Sequence, residues 1–173
     1  MSQMSRANSL KLLVLFILER RDKMDNQLMF ISINSEESIK NKILICNKKI
    51  KRQDLILNEK QAISLAKTYT RVLKDNKRID LKGDIVDQLI IEFNDSPYID
   101  KSNYEEILHD LISLFYELKN DTWDSISDDD LIKFMKNSFD YDCFGSMEML
   151  YSKSMMLIEH IHAGHSLESF KGD

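Results

Sequence analysis

The sequence predicts an all-α protein, a single compact domain of five or six helices, and three observations carry that expectation. Only four of 173 residues are Gly and one is Pro, while 43% are apolar and 31% charged. Such a balance suits helices joined by short connections better than a turn-rich sheet protein. Apolar residues recur at helical spacing in successive segments, and most segments are preceded by residues that cap helix N-termini. A chain of this size buries roughly 70% of its unfolded surface, enough for a core without covalent staples. Cys46 and Cys143 stand far apart with no Cys-x-x-Cys spacing, which indicates neither a disulfide framework nor a zinc knuckle. The formal charge of −5 offers no global attraction to nucleic acid or anionic membrane, and a reducing cytoplasm is the expected compartment.

The amino-terminal stretch differs from the rest. Leu12-Leu-Val-Leu-Phe-Ile-Leu18 is a continuous apolar run behind Arg6 and Lys11, far shorter than the about 20 residues a bilayer takes. Glu19-Arg-Arg-Asp22 stands where a signal peptide would carry small residues. Residues 1–23 are therefore read as an appended extension or apolar helix, with any membrane contact confined to residues 10–18 and with Met1 and Met24 both suitable starts. The helical domain is expected over residues 24–166, followed by a disordered tail over 167–173. Leu28, Phe30 and Ile31 suggest a short extended segment near residues 27–33.

From Asn34 the pattern is regular. Asn34 and Glu37 have capping-box spacing, which predicts a helix burying Ile39, Ile43 and Cys46. Lys40, Lys42 and Lys48-Lys-Ile-Lys-Arg52 place six cations between Ser38 and Gln53 with no acid among them. A solvated helix end whose cations face the C-terminal dipole is the favoured explanation. Weak nucleic-acid binding through residues 40–52 is the alternative, but no aromatic residues interleave the run to stack on bases. Asn58 and Gln61 predict the next capped helix, with Ala62, Leu65, Ala66, Tyr69, Val72 and Leu73 inward. Ile85, Val86, Leu89, Ile90 and Phe93 form the following stripe, and Ile91 broadens it to a second side, which predicts a central helix.

Asn94-Asp-Ser-Pro97 stops that helix, because proline lacks a donor and biases the preceding residue away from the α region. Ser102 and Glu105 then predict a capping box opening a helix through Lys119, with Tyr104, Ile107, Leu108, Leu111, Phe115 and Leu118 buried. Trp123 falls in the next connection. Ser127 and Asp130 cap a helix burying Leu131, Ile132, Phe134, Met135 and Phe139, and Asp128–Asp130 sit where a helix N-terminus favours negative charge. A last helix from near Gly145 carries Met147, Leu150, Tyr151, Leu157, Ile158 and Ile161 inward and ends at Gly164.

Several chemistries can be weighed on spacing alone. Glu106-x-x-His109 and Glu159-x-x-His162 match the units of di-iron four-helix bundles, but at about 100° per residue Glu106, His109 and Glu159 point away from their helices' apolar stripes and His162 lies on the flank. Asp140-x-Asp142-x-Phe144-Gly145 starts like a calcium loop, then presents Phe144 and Tyr151 where ligands belong. His160, His162 and His165 form a string that binds zinc only if the last turn unwinds, since residues two apart on a helix diverge. A helix-turn-helix drawn from Leu131–Ser138 into Ser146–Leu157 would present Glu148 and Lys153 among methionines, poor material for reading bases. Met149, Met155 and Met156 suit an adaptable protein-binding face. Cys143 has no histidine placed beside it, and phosphate loops, nucleophile elbows and dinucleotide fingerprints are absent.

Asp95-Ser-Pro-Tyr-Ile99, Leu114-Phe-Tyr-Glu-Leu-Lys-Asn120, Ser127-Asp-Asp-Asp-Leu-Ile-x-Phe-Met135 and Gly145-Ser146 with Glu148 resemble the recurring blocks of an uncharacterised family of small proteins from Gram-positive anaerobic bacteria. The resemblance covers residues 24 to 160 and leaves residues 1–23 without a counterpart. It implies a one-domain cytoplasmic protein and supplies no activity. The resulting expectation is a non-enzymatic interaction or adaptor protein, with no catalytic residue or cofactor assigned and its oligomeric state open. Its partner surface is expected at Asp95, Pro97, Tyr98, Trp123, Asp140, Asp142 and Phe144. A metal-binding protein or metal-dependent enzyme built on His160, His162 and His165 is the alternative from another class.

Overall fold

The computed structural model describes residues 36–80 and 84–170, and among these six helices and no strands occur. Residues 36–46 are helical (α1); Glu59–Asp75 (α2), Asp84–Phe93 (α3), Tyr104–Asp121 (α4), Asp128–Asn137 (α5) and Met147–His162 (α6) follow. The fold is all-α. Asn34, the 27–33 segment, the apolar run at 12–18 and the boundary at residue 23 lie outside the described residues. No described helix is long and apolar enough to cross a membrane. Residues 167–170 follow α6 as a 3-10 turn, Leu167–Ser169, with the Phe170 ring edge-on to Phe134 at 5.8 Å.

The packing follows the apolar spacing. Ile39, Ile43 and Cys46 of α1 are buried, as are Ala62, Leu65, Ala66, Tyr69 and Val72 of α2. Helix α4 packs against α2, α3 and α6, while α3 also meets α5. Burial on α4 extends to Ile112, Leu114, Tyr116 and Lys119, so α4 is the central helix. The expectation that α3 holds this place is corrected: Ile91, which suggested a second apolar side, is 43% exposed. Only one side of α3 meets the core.

Two predicted caps, Asn58 and Ser127, fall where expected, and Ser146 adds one that the spacing does not single out. Asn58 accepts from the Gln61 backbone N–H while the Gln61 side chain accepts from that of Asn58. The Ser127 side chain accepts from the Asp130 N–H, and that of Ser146 from the Met149 N–H. The Ser102–Glu105 box does not form. Instead Asp100 Oδ1 accepts from the Ser102 and Asn103 backbone N–H groups and from the Ser102 hydroxyl, and Asn103 Oδ1 accepts from the Asp100 N–H. The box is shifted two residues upstream, because Asp100 satisfies more orphan donors than Ser102 can.

Helices α2, α4 and α6 end on one and the same device. Lys77, Trp123 and Gly164 adopt φ of 54°, 53° and 86°. In each case the next residue's N–H reaches back to Leu73, Lys119 or His160, and the left-handed residue's own N–H bonds Lys74, Asn120 or Ile161. This paired arrangement satisfies carbonyls that the helix leaves without partners.

Candidate functional site

Helices α4 and α6 run in the same direction, for the loop before α4 meets the turn before α6 and Trp123 after α4 meets His162 at the end of α6. At the amino-terminal end the Asp95–Ile99 loop lies against the turn that precedes α6. Gly145, at φ +81°, accommodates Tyr98 so closely that a Cβ there would stand 2.3 Å from the Tyr98 Cβ. The Tyr98 and Phe144 rings meet edge to face at 6.5 Å.

Beneath them is a polar tie that spacing within helices does not reveal. Residues Ser138–Asp142 form a π-helical turn, closed by the Cys143 N–H on the Ser138 carbonyl at 2.8 Å. The wider turn places Asp140 inside beside Phe139, both buried. Asp140 accepts from the Ser96 hydroxyl at 2.6 Å and from Lys136 Nζ at 2.5 Å, and Lys136 also pairs with Asp95 at 2.8 Å. Burial works to lower the Lys136 pKa, yet its bonds to Asp140 and Asp95 together hold it raised. Sequence reasoning missed Ser96 and Lys136, although Lys136 and Asp140 stand at the i, i+4 spacing of a helical ion pair.

The carboxy-terminal end of the pair is held by a ring stack and a hydrogen bond. Trp123 stacks on His162, ring centroids 4.3 Å apart and planes 11° from parallel, while His162 Nε2 donates to the Asp121 carbonyl at 2.6 Å. Trp123 nevertheless remains 69% exposed, and Phe144, at the other end, 65%. Both are bulky side chains on left-handed backbone, φ 53° and 49°, a conformation that is uncommon and costly for such residues.

Between these ends runs a solvent-facing strip. Glu106, Asp110, Glu117 and Asp121 lie within about 60° of one another on α4 at 100° per residue, and none of the four makes a salt bridge among the described residues. Burial, with Glu106 adding repulsion and His109 opposing it, raises the Asp110 pKa; burial and Asp121 raise that of Glu117. Burial, helped by the nearby Glu117 and Asp110 of α4, pushes the phenol of Tyr151 on α6 up to about 12. Beyond Tyr151, α6 exposes Met149, Met155 and Met156 beside Glu148 and Glu159.

The expected residues thus divide. Tyr98, Pro97 and Phe144 share one end and Trp123 marks the other; Asp95 is exposed but bound to Lys136, and Asp142 is exposed but bound to Lys153 at 2.8 Å. Asp140 is consumed internally, and it and Asp142 serve different lysines. The histidines also part company. His160 bonds Ser169 and stacks on His165, His162 turns to Asp121, and His109 reaches Ser64 on α2. Among the described residues no three His, Cys, Asp or Glu side chains are grouped to hold a metal ion. Of the six cations in residues 40–52, Lys40, Lys42 and Arg52 pair with carboxylates, and Arg52 also binds the Ser96 and Ile99 carbonyls.

Two other features are absorbed by the framework. Both cysteines are buried and unbridged, and burial pushes the Cys46 thiol up to about 11, which keeps it protonated and unreactive near neutrality. Four charged residues that line a cavity of about 790 Å³ are engaged within the fold: Tyr69 and Tyr116 donate to Asp80, Lys119 pairs with Asp128, and Arg78 with Asp124.

Residues 42–166 match the model of a family of unknown function, DUF6323, and the chain belongs to that family. Nothing matches it among curated proteins or among solved structures.

Proposed function

We propose that this member of a family of unknown function is a non-enzymatic, cytoplasmic bacterial protein that binds another protein across the α4/α6 face. The observation that carries the reading is the state of Phe144 and Trp123. Each aromatic ring stands mostly in water on a left-handed backbone, at opposite ends of one helix pair. Exposed aromatic residues anchored on a rigid frame are the usual energetic centres of protein interfaces, and strain held at a surface residue points to use there. The methionines of α6 add an apolar surface that adapts to a partner's shape.

The test is photo-crosslinking in the native cell, with a photoreactive aromatic amino acid placed at position 144, at position 123, or at exposed Ile91 on α3. The expected result is one protein captured from positions 144 and 123 and not from 91. Its complex, rebuilt from purified components, weakens at least about tenfold in the Phe144→Ala plus Trp123→Ala variant. No shared adduct from the two positions, or binding indifferent to the double substitution, overturns the reading.

A further inference from the structure

We infer that the α4/α6 face docks a cationic, amphipathic segment of its partner, with basic side chains spread along the α4 carboxylates and apolar ones on the exposed methionines of α6. This rests on the interaction reading above and adds the chemistry of the partner. The apolar part of the face is Met155, 43% exposed, and further round α6 Met156, 48% exposed, bracketed by Phe144 and Trp123. What identifies the occupant is charge. Glu106, Asp110, Glu117 and Asp121, joined by Glu148 and Glu159 from α6, carry no salt bridge, although lysines elsewhere on the surface find carboxylates.

The geometry separates this occupant from its competitors. Glu106 and Asp121 are fifteen residues apart, about 22 Å along the helix at 1.5 Å per residue. Carboxylates so spread meet an extended row of cations, and among the described residues they do not converge on one metal ion. A second copy of the same face brings like charge against like charge, which opposes self-association. Nucleic acid and anionic lipid have the wrong sign. Burial and mutual repulsion raise the pKa of Asp110 and Glu117, and an arriving cation relieves that repulsion.

The chain's single tryptophan lies at one end of the face and reports occupancy directly. The probe is a sixteen-residue amphipathic helical peptide of leucine and lysine, lacking Trp and Tyr, titrated into the full chain at low and physiological salt. The expected result is a saturable blue shift of Trp123 emission, with affinity falling as salt rises. The variant Glu106→Gln, Asp110→Asn, Glu117→Gln, Asp121→Asn then binds at least about tenfold more weakly. A variant neutralised elsewhere, Asp75→Asn, Glu92→Gln, Asp129→Asn, Glu168→Gln, stays within about twofold of the unaltered chain, since screened charges beyond the face contribute little.

No emission shift, equal loss in both variants, or sedimentation showing that the face joins two copies of the chain overturns the inference. Crosslinking of one partner at positions 123 and 144 alongside such a failure leaves the interaction reading standing and removes only the cationic segment. Failure of the crosslinking removes the reading itself.

Discussion

Helices α6 and α4 close with the same pair of backbone hydrogen bonds, but the left-handed position carries Gly164 in one and Trp123 in the other. Gly164 is the ordinary solution. It has no side chain to collide with the following carbonyl, and a Cβ there would meet nothing within 4 Å. Trp123 makes the same cap against its conformational preference and leaves its ring in water on one face. Lys77 shows that this cap also accepts a residue other than glycine, so what sets position 123 apart is a bulky ring left 69% exposed on that backbone, which the cap does not need. The preceding turn of α6 repeats the contrast within two residues, where Phe144 and Gly145 are both left-handed and only the glycine is demanded by packing.

Substitutions can break this contrast or sharpen it. The largest effect belongs to Gly145→Ala, where left-handed strain adds to a collision with the root of the Tyr98 side chain; a loss of about 2–5 kcal/mol is expected in urea unfolding. Gly164→Ala meets open space, so only the backbone cost of about 1–2 kcal/mol should appear. At position 123 glycine is again the better residue for the cap: Trp123→Gly should be more stable than Trp123→Ala by about 1 kcal/mol, and close to the unaltered protein, because relief at the cap offsets the lost stack on His162. If Trp123→Gly proved as damaging as Gly145→Ala, Trp123 would be a framework residue and the contrast would fail.

The smallest effect concerns charge. The carboxyl pKa values of Asp110 and Glu117 are raised on folding, so the native state binds more protons than the unfolded one across that range. Stability therefore falls as pH rises through it, and the penalty is fully present above the folded pKa values and absent below the unfolded ones. Asp110 faces Glu106 and His109 on its own helix, Glu117 faces Asp121, and both face Tyr151 of α6. The Asp110→Asn plus Glu117→Gln variant should gain about 2 °C in Tm at pH 7 and lose the gain when both carboxyls are protonated. A gain that persists in acid would show that repulsion is not its source.

Most of the helices were legible because burial imposes the 3.6-residue period on each of them separately. Leu111 and Leu131 point inward as their spacing requires, and Asn58 and Ser127 cap where their spacing places them. The misses arise where local patterns compete or where geometry joins distant residues. Asp100 and Ser102 both offer a side-chain oxygen ahead of α4, and the number of donors each can satisfy decides between them. Ile91 is apolar yet faces water, which composition alone cannot exclude. The seat of Tyr98 on Gly145 joins residues far apart in the chain, and the π-helical turn that buries Asp140 has no sequence period of its own. Trp123 and Phe144 could be singled out by type, but only the fold shows them at two ends of one helix pair.

The most direct test of the account measures stability and binding on the same Trp123→Gly sample. Unfolding free energy is read from urea denaturation, and affinity from titration with the partner captured at positions 123 and 144. Stability within about 1 kcal/mol of the unaltered chain and binding weakened at least about tenfold are expected. A protein that loses several kcal/mol of stability yet binds its partner unchanged would contradict it.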